Sequence, residues 1–281
     1  VAQEVEIAVG GVPHDYLSAC PNLVWYQQFG SGVDWLRDHP KAIAHPFVLT
    51  NCSDNHCHVL ADHAFALILS FSREIPRFSQ LQTKGRWDRP LDYTSGRFEL
   101  RGKTMLVVGL GSIGLEIVKR ARAFGLRLIG LRGNPEKAVR DVENIFCSSE
   151  LDTAVSEADL IVNTLPHTKE THHLFDNSAF AAAKKGAYFF NVGRGGTVDE
   201  AALINALSNG QLAGAGLDVF EVEPLPESSP LWQMKNVLIT PHTGGSHDRL
   251  HDNWFEVIFD NLERRRQNRE LRNVVDKSKG Y

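Results

Sequence analysis

The 281-residue chain lacks several features that would place it in well-known classes of protein. It has no uninterrupted apolar run near the roughly 18–20 residues that a membrane-spanning helix needs. It also has no excess of basic residues, because 30 Lys and Arg stand against 34 Asp and Glu and the net charge is −4. Proteins that bind nucleic acids or membrane surfaces present a basic face. We therefore expect neither a nucleic-acid partner nor a membrane partner.

Cysteine is also scarce in this chain. Cys20, Cys52, Cys57 and Cys147 show no regular spacing, which predicts free thiols in a reducing compartment and hence a cytoplasmic protein. The segment 51–58, Asn-Cys-Ser-Asp-Asn-His-Cys-His, contains residue types that bind metals, but its spacing is not that of a zinc site. We therefore expect no bound metal, and we interpret 51–58 as a structural or substrate-pocket segment.

Apolar runs alternate with helical patterns from residue 104 onward. The runs predict strands over residues 104–108, 126–131, 159–164, 187–192, 215–219 and 237–240. Helical patterns lie between them, for example over 112–124 and 200–209. Continuous apolar strands separated by helices are typical of a parallel sheet that is covered on both faces. This part of the chain therefore predicts an α/β coenzyme domain with a doubly wound, Rossmann-type parallel sheet.

The first part of the chain predicts a smaller α/β unit. Strand patterns cover residues 5–9, 23–27 and 47–50, and helical patterns cover 32–38 and 58–72. Residues 86–97 are typical of an irregular connector.

We expect two domains. Residues 1–55, with a C-terminal return over 251–281, would form a substrate domain, and residues 56–250 would form the dinucleotide-binding domain. The last helical pattern covers 249–266 and carries an aromatic stripe at 254–259. We interpret this stripe as core between the domains.

A glycine-rich loop follows the strand at 104–108. The string Val-Val-Gly-Leu-Gly-Ser-Ile-Gly fits the G-x-G-x-x-G dinucleotide fingerprint in its required strand-to-helix context. Gly109 permits a tight turn, Gly111 lets the backbone approach a pyrophosphate, and Gly114 allows close packing of helix and strand. The residues predicted to bind the cofactor here are Gly109, Gly111, Ser112, Ile113 and Gly114.

The end of the next strand indicates which dinucleotide is bound. The string Leu-Arg-Gly-Asn at 131–134 stands where an NAD enzyme usually carries an acid that binds the ribose 2′-hydroxyl. Arg132 stands there instead, and a guanidinium matches a 2′-phosphate, which favours NADP(H). The alternative is that Arg132 is a solvated charge at the strand end and that NAD(H) is accepted as well.

Three short strings follow or end predicted strands, and each delivers one polar side chain. They are Asn-Val-Gly-Arg-Gly at 191–195, Leu-Asp-Val-Phe-Glu-Val-Glu-Pro at 217–224 and Thr-Pro-His at 240–242. Arg194, Glu223 and His242 supply a fixed cation, a carboxylate and an imidazole, which can hold a carboxylate substrate and move one proton. With a dinucleotide fingerprint upstream, this trio predicts a hydride-transfer enzyme.

At these motifs the chain resembles the D-isomer-specific 2-hydroxyacid dehydrogenases. The resemblance runs from about residue 23 to 275, and 225–232 resembles the glyoxylate/hydroxypyruvate-reductase-like members. It implies a Rossmann-type coenzyme domain, a flavodoxin-like substrate domain, interconversion of a 2-oxoacid with a D-2-hydroxyacid, and a homodimer. Family members usually have a few tens of residues before the position of Val1. We therefore expect either a shortened first domain or an incomplete chain.

The resemblance implies a role for each residue of the trio. Arg194 would bind the substrate carboxylate and the 2-oxo oxygen. His242 would protonate the carbonyl oxygen during reduction and would act as the base in the reverse direction. Glu223, rather than Glu221, would bond to His242 and orient its ring.

Further positions also match the family. Ser31 and Gly32 resemble the loop whose backbone N–H groups bind the substrate carboxylate. The resemblance implies cofactor contacts for Leu165, Pro166, Thr171, Val192, Gly193, Asp218, His242 and Gly244. His167 departs from the family pattern, which commonly has Leu there, and this change would alter the polarity near the cofactor.

The sequence as a whole predicts an NADP-preferring D-2-hydroxyacid dehydrogenase, that is, a 2-oxoacid reductase. Two alternatives stay open. One is a cofactor-sensing binding protein like the C-terminal-binding-protein corepressors, which resemble the family and keep its motifs. The other is an NAD-dependent dehydrogenase of the phosphoglycerate or formate type, which Arg132 disfavours.

Overall fold

The computed structural model describes residues 2–89 and 96–280, so the predicted connector at 86–97 lies partly outside the described residues. Its strands are β1 (Ile7–Val9), β2 (Trp25–Gln27), β3 (Val48–Thr50), β4 (Thr104–Val108), β5 (Arg127–Leu131), β6 (Asn144–Phe146), β7 (Leu160–Asn163), β8 (Ala187–Asn191), β9 (Leu212–Leu217) and β10 (Val237–Ile239). Its α-helices are α1 (His14–Leu17), α2 (Pro40–Ala44), α3 (Cys57–Ser72), α4 (Ile75–Thr83), α5 (Ser112–Ala123), α6 (Leu151–Glu157), α7 (Asn177–Ala182), α8 (Glu200–Ser208) and α9 (Leu250–Arg266).

Two compact units make up the structure. The small unit comprises the described parts of residues 1–57, 166–170 and 246–281. The large unit comprises the described parts of 58–165 and 171–245. By its contacts, the segment 166–170 belongs to the small unit, although no composition shift in the sequence marks a boundary there.

The large unit is built on a parallel sheet. Within the described residues, seven strands pair in the order β10-β9-β8-β7-β4-β5-β6, and every pair is parallel. Because β4 lies between β5 and β7, the chain extends the sheet first to one side of β4 and then to the other. This reversal creates a crevice at the carboxyl ends of β4 and β7, where doubly wound folds bind their ligands.

Alternate residues of β4 enter two separate hydrophobic cores. Met105 and Val107 pack with residues of α3 and α5 on one face of the sheet. Leu106 and Val108 pack with residues of α6, α7 and α8 on the other face. Helices on both faces leave all of β4 buried, which explains why its sequence is an unbroken apolar run.

The sheet departs from the predicted pattern in two places. β6 was not predicted, because this three-residue edge strand is exposed, half-buried and buried in turn and forms no apolar run. β9 begins at Leu212 rather than at Ala215, since Gly214 interrupts the apolar pattern. The other five predicted strands of this sheet are confirmed to within one residue at each end.

The small unit contains a three-stranded parallel sheet in the order β1-β2-β3, and one face of this sheet carries a hydrophobic core. The other face carries a buried polar network. Trp25 Nε1 donates to Thr50 Oγ1 at 2.8 Å, and Thr50 Oγ1 donates to Gln27 Oε1 at 2.7 Å. Asn261 of α9 donates to the same Gln27 oxygen at 2.9 Å, which joins the C-terminal helix to this sheet. The two sheets together confirm the predicted fold class.

The aromatic stripe of α9 is only partly buried. Trp254 stacks on Phe29 with ring centroids 5.0 Å apart, and Ile258 is buried on the same helical face. Phe255 and Phe259 are 49% and 65% exposed, so the prediction that they belong to a core is wrong. The reason is the helical period, since residues 255 and 259 lie about 100° around the helix from 254 and 258.

Among the residues that the structure describes, none of the helices combines the length and the apolar character needed to cross a bilayer.

Candidate active site

The predicted site residues are divided between the two units. The large unit holds Gly109, Gly111, Ser112, Ile113, Gly114, Arg132, Leu165, Thr171, Val192, Gly193, Arg194, Asp218, Glu223, His242 and Gly244. The small unit holds Ser31, Gly32 and Pro166. Because the strands of the large sheet are parallel, the loops at their carboxyl ends lie at one edge and bring most of the large-unit residues together.

Two glycines of the dinucleotide loop are required by packing. Gly109 has a φ of +98°, a left-handed conformation that glycine adopts without strain. A Cβ there would lie 2.7 Å from Thr164 Oγ1, and a Cβ on Gly114 would lie 2.0 Å from the carbonyl oxygen of Gly109. Neither position can hold a side chain without moving the loop.

Gly111 differs because nothing lies within 4 Å of a Cβ built on it. It is the N-cap of α5 and has no side-chain cap, so the first N–H groups of the helix have no partner within the helix. The space above them accommodates a pyrophosphate at the positive end of the helix dipole. The residues present therefore fit a dinucleotide cofactor.

Arg132 lies directly beside this loop. The N–H of Gly109 donates to the carbonyl of Leu131 at 2.9 Å, so the end of β5 is held against the glycine turn. The Arg132 side chain is half-buried, and its Nη1 donates to the carbonyl of Lys137 at 3.4 Å. In dinucleotide-binding folds the carboxyl end of this strand meets the ribose 2′ position. Arg132 thus places a cation at the strand end that meets the ribose in such folds.

His242 and Glu223 form a hydrogen-bonded pair. His242 Nδ1 lies 2.6 Å from Glu223 Oε2, and the other carboxylate oxygen accepts the N–H of Phe220 at 2.9 Å. His242 follows β10 with a φ of +52°, and its own N–H donates to the carbonyl of Asp218 at 2.8 Å. The backbone bond thus fixes the position of the His242 main chain, and the bond to Glu223 fixes the direction in which the imidazole ring points.

His242 and Glu223 each shift the pKa of the other. The hydrogen bond to Glu223 raises the pKa of His242 above its ordinary value, against the effects of burial and of the Arg194 charge. Burial favours the neutral acid of Glu223, but the hydrogen bond from His242 and the N–H of Phe220 hold its pKa below the ordinary value. The imidazolium–carboxylate form of the pair is therefore favoured.

Arg194 lies in a turn that buried polar side chains hold in place. Its carbonyl accepts Thr197 Oγ1 at 2.6 Å and Asn191 Nδ2 at 3.2 Å. Asn163 Nδ2 then donates to Thr197 Oγ1 at 2.7 Å and to Asn191 Oδ1 at 3.0 Å. The guanidinium Nη1 donates to the carbonyl of Gly193 at 2.8 Å. These anchoring side chains were not predicted from the sequence. Their one sequence signal is that two adjacent apolar strands, β7 and β8, each end in an asparagine.

Asp218 anchors the segment that carries His242. Its side chain is 1% exposed. One carboxylate oxygen accepts Thr240 Oγ1 at 2.6 Å and the N–H of Thr243 at 3.0 Å, and the other accepts the N–H of Gly244 at 2.9 Å. Burial alone would raise the pKa of Asp218, but these donors and His63 lower it to about 2. The carboxylate is thus a buried charge bound to its own loop.

His63 of α3 completes this anchor and was missed in the sequence. Its Nε2 lies 2.8 Å from Thr240 Oγ1 and 3.4 Å from Asp218 Oδ1. Because ionised Asp218 only accepts, Thr240 must donate to it, and His63 Nε2–H must donate to Thr240. The apolar pattern of α3 conceals this histidine, and no local signal links it to a residue so distant in the chain.

The remaining residues of the large unit that were predicted to bind the cofactor are Leu165, Thr171, Val192 and Gly193. A Cβ on Gly193 would lie 2.7 Å from the carbonyl oxygen of Leu165, so the loops after β7 and β8 touch. The side chain of Val192 is buried in the core beneath, and its backbone N–H donates to the carbonyl of Asn163 at 3.1 Å. Thr171 accepts the N–H of Leu174 through its carbonyl at 3.2 Å.

In the small unit, Ser31 and Gly32 lie in the loop that follows β2. His167 follows Pro166, and its Nδ1 lies 2.6 Å from Arg37 Nη1.

Most of the described side chains in the segment 51–58 are buried. Asn51 Nδ2 donates to the carbonyl of Ser31 at 2.9 Å, and burial raises the pKa of the Cys52 thiol to about 11. Trp254 Nε1 donates to His56 Nε2 at 3.3 Å. Among the side chains that the structure describes, no three from His, Cys, Asp or Glu are arranged to hold a metal ion.

Comparison with known proteins decides the family. The sequence pattern of the family described as "D-isomer specific 2-hydroxyacid dehydrogenase, NAD binding domain" matches residues 65–244. The glyoxylate/hydroxypyruvate reductase B of Enterobacter sp. (strain 638) is 38% identical over 243 residues, which are 85% of this chain and 71% of that protein. The chain belongs to the D-isomer-specific 2-hydroxyacid dehydrogenase family.

Solved structures of 2-hydroxyacid dehydrogenases share the fold. One, from Xanthobacter autotrophicus Py2 in complex with NADPH and MES, is 32% identical with a TM-score of 0.84, covering 100% of this chain and 87% of that one. An NADPH-dependent glyoxylate/hydroxypyruvate reductase from Sinorhizobium meliloti, in complex with NADP and malonate, is 32% identical with a TM-score of 0.83, covering 99% and 86%. The protein is an NAD(P)-dependent oxidoreductase of the 2-hydroxyacid dehydrogenase type.

The anchor of the His242 segment predicts a stability difference between two threonines. Thr240→Val removes the hydroxyl between His63 and Asp218, and we expect a loss of about 1–3 kcal/mol in the free energy of unfolding, measured with urea. Thr243→Val is the control, because among the described residues Thr243 bonds to Asp218 through its backbone N–H alone. Equal losses in the two variants would contradict the anchoring role.

Proposed function

We propose that the protein is an NADPH-preferring reductase of a small 2-oxoacid and that His242 is its proton donor. The observation that carries this proposal is the 2.6 Å hydrogen bond between His242 Nδ1 and Glu223 Oε2. The His242–Glu223 pair lies at the same edge of the sheet as Arg194 and the dinucleotide loop. The named relatives, which are glyoxylate and hydroxypyruvate reductases, support a small 2-oxoacid as substrate.

In this proposal each side chain has one task. With Nδ1 bonded to Glu223, His242 has Nε2 available to give a proton to the carbonyl oxygen of the substrate. Glu223 stabilises the imidazolium before the transfer and keeps the ring oriented after it. The planar guanidinium of Arg194 suits the carboxylate and the 2-oxo oxygen together, and the backbone N–H groups of Ser31 and Gly32 would add donors to the carboxylate.

These tasks account for the hydride and the proton that the reaction moves. A reduced nicotinamide held at the dinucleotide loop would supply the hydride for C2 of the 2-oxoacid. One proton leaves His242 Nε2 for the carbonyl oxygen, so the carbonyl becomes a hydroxyl and neutral His242 remains bonded to Glu223. Solvent then returns the proton to His242. In the reverse direction, neutral His242 accepts the hydroxyl proton.

The proposal predicts that His242→Ala lowers kcat by about 10²- to 10⁴-fold, the usual contribution of a positioned acid. The assay is steady-state reduction of glyoxylate and hydroxypyruvate with NADPH. His173→Ala is the matched control, since His173 forms a pair of the same 2.6 Å length with Glu221 in the large unit. Near-normal turnover of any reduced 2-oxoacid by His242→Ala would refute the assignment.

The raised pKa of His242 predicts the pH dependence of reduction. Reduction needs the imidazolium, so kcat/KM falls as the pH rises through the pKa of His242. Since the hydrogen bond to Glu223 raises this pKa, Glu223→Gln should move the alkaline fall of kcat/KM to lower pH. Glu221→Gln should leave it in place. An unchanged alkaline limb in Glu223→Gln would show that Glu223 does not tune His242.

Arg132 predicts the cofactor preference. The wild-type protein should have a higher kcat/KM with NADPH than with NADH, and Arg132→Ser should lower that ratio about 10- to 100-fold, the effect of losing a charged hydrogen-bond pair. Arg127→Ser is the control, because Arg127 begins the same strand and pairs with Glu143 at 2.9 Å. A wild-type preference for NADH would refute this part of the proposal.

A further inference from the structure

The loop Gly30–Gly32 of the small unit is held from behind by two buried side-chain amides. Gln28 Nε2 donates to the carbonyl of Gly30 at 2.9 Å and to the carbonyl of Gly32 at 2.7 Å. Asn51 Nδ2 donates to the carbonyl of Ser31 at 2.9 Å. All three carbonyls of the loop therefore point toward these two side chains.

The direction of each amide is itself determined. Gln28 Oε1 accepts Trp35 Nε1–H at 3.0 Å, and Asn51 Oδ1 accepts the backbone N–H of Ser53 at 3.1 Å. An indole N–H and a backbone N–H can only donate. Each amide must therefore turn its oxygen to that donor and its NH₂ group to the loop. Gln28 and Asn51 are 6% and 7% exposed, so water offers little competition for these bonds.

The N–H groups of the loop consequently face the other way. In a planar trans peptide, the C=O of one residue and the N–H of the next point in opposite directions. Because the carbonyls of Gly30 and Ser31 point to the amides, the N–H groups of Ser31 and Gly32 point away from them. Within residues 2–89 and 96–280 these two N–H groups donate no hydrogen bond. Nothing lies within 4 Å of a Cβ built on Gly30, so the space beside the loop is open.

We propose that Gln28 and Asn51 are positioning residues that shape this loop into a two-donor site for the substrate carboxylate. The proposal rests on the proposed function, in which Ser31 and Gly32 bind that carboxylate. Two adjacent N–H groups on one side of a turn form a concave site for an anion. Gln28 and Asn51 act through the loop and do not touch the substrate themselves.

Two variants test the proposal by separating KM from kcat. Gln28→Met keeps the length of the side chain and removes both donors to the loop. Asn51→Asp keeps the acceptor for Ser53 and puts an oxygen against the carbonyl of Ser31. Each should raise KM for glyoxylate and hydroxypyruvate about tenfold or more, the effect of losing a buried hydrogen-bond donor at a binding site. KM for NADPH should be unchanged, and kcat should stay within about twofold because the proton donor is intact.

Gln27→Met is the matched control. Gln27 is a buried glutamine that ends β2, directly before Gln28. Its side-chain amide bonds to Thr50, to Asn261 and to the carbonyl of Gln28, and not to the carbonyls of Gly30, Ser31 or Gly32. This variant should lower the melting temperature and leave KM for the 2-oxoacid at the wild-type value. A purely structural effect of losing a buried amide would raise KM equally in Gln27→Met and Gln28→Met, and that result would overturn the proposal.

The outcomes distinguish this inference from the proposed function. If the wild-type protein reduces no 2-oxoacid with either reduced cofactor, the proposed function fails and this inference fails with it. If the wild-type protein is active and both Gln28→Met and Asn51→Asp keep the wild-type KM, the inference alone is overturned. If Gln28→Met does not fold, Asn51→Asp decides the question by itself.

Discussion

The buried carboxylate of Asp218 is the constraint on which the candidate active site depends. A charge removed from water is tolerated only when donors replace its hydration. Here those donors are the Thr240 hydroxyl and the N–H groups of Thr243 and Gly244, which lie on either side of His242. A path that moved these donors away would leave the charge with too few partners, so the conformation that presents His242 is held by the solvation of Asp218 and not by the histidine itself.

The same arrangement recurs at the other functional loops. The Arg194 carbonyl is held by Thr197 and Asn191, and the carbonyls of Gly30–Gly32 are held by Gln28 and Asn51. In each case a buried polar side chain satisfies the inner side of a loop. In the proposed function, the outer side of each loop binds the substrate, through the N–H groups of Ser31 and Gly32 and through the Arg194 guanidinium. Such loops are ordered before a ligand arrives, which reduces the entropy lost on binding.

The sequence predicts the parts of this protein that are local. The strands of the large sheet and the positions of Arg194 and His242 at strand ends follow from apolar runs and the polar residues that end them. The contacts that hold these residues are not local. His63 meets Thr240 only after α3 has packed on the sheet, and Gln28 reaches Gly30 and Gly32 through a turn whose geometry no residue pattern specifies. β6 escaped prediction for a related reason, since an edge strand with one buried residue has no periodicity to detect.

Asp218 and His242 differ in burial, and in the proposed mechanism this lets His242 gain and lose a proton while Asp218 stays ionised. Asp218 is 1% exposed with a pKa of about 2, so it is ionised at neutral pH and its contribution to stability is lost only as the pH falls below its unfolded value toward 2. His242 is 48% exposed, and its pKa is raised from the ordinary value near neutrality. A proton can therefore enter and leave His242 while the charge that shapes its loop stays constant. A less deeply paired anchor would titrate with the histidine, and in the proposed mechanism the geometry of proton transfer would then change at the pH where transfer occurs.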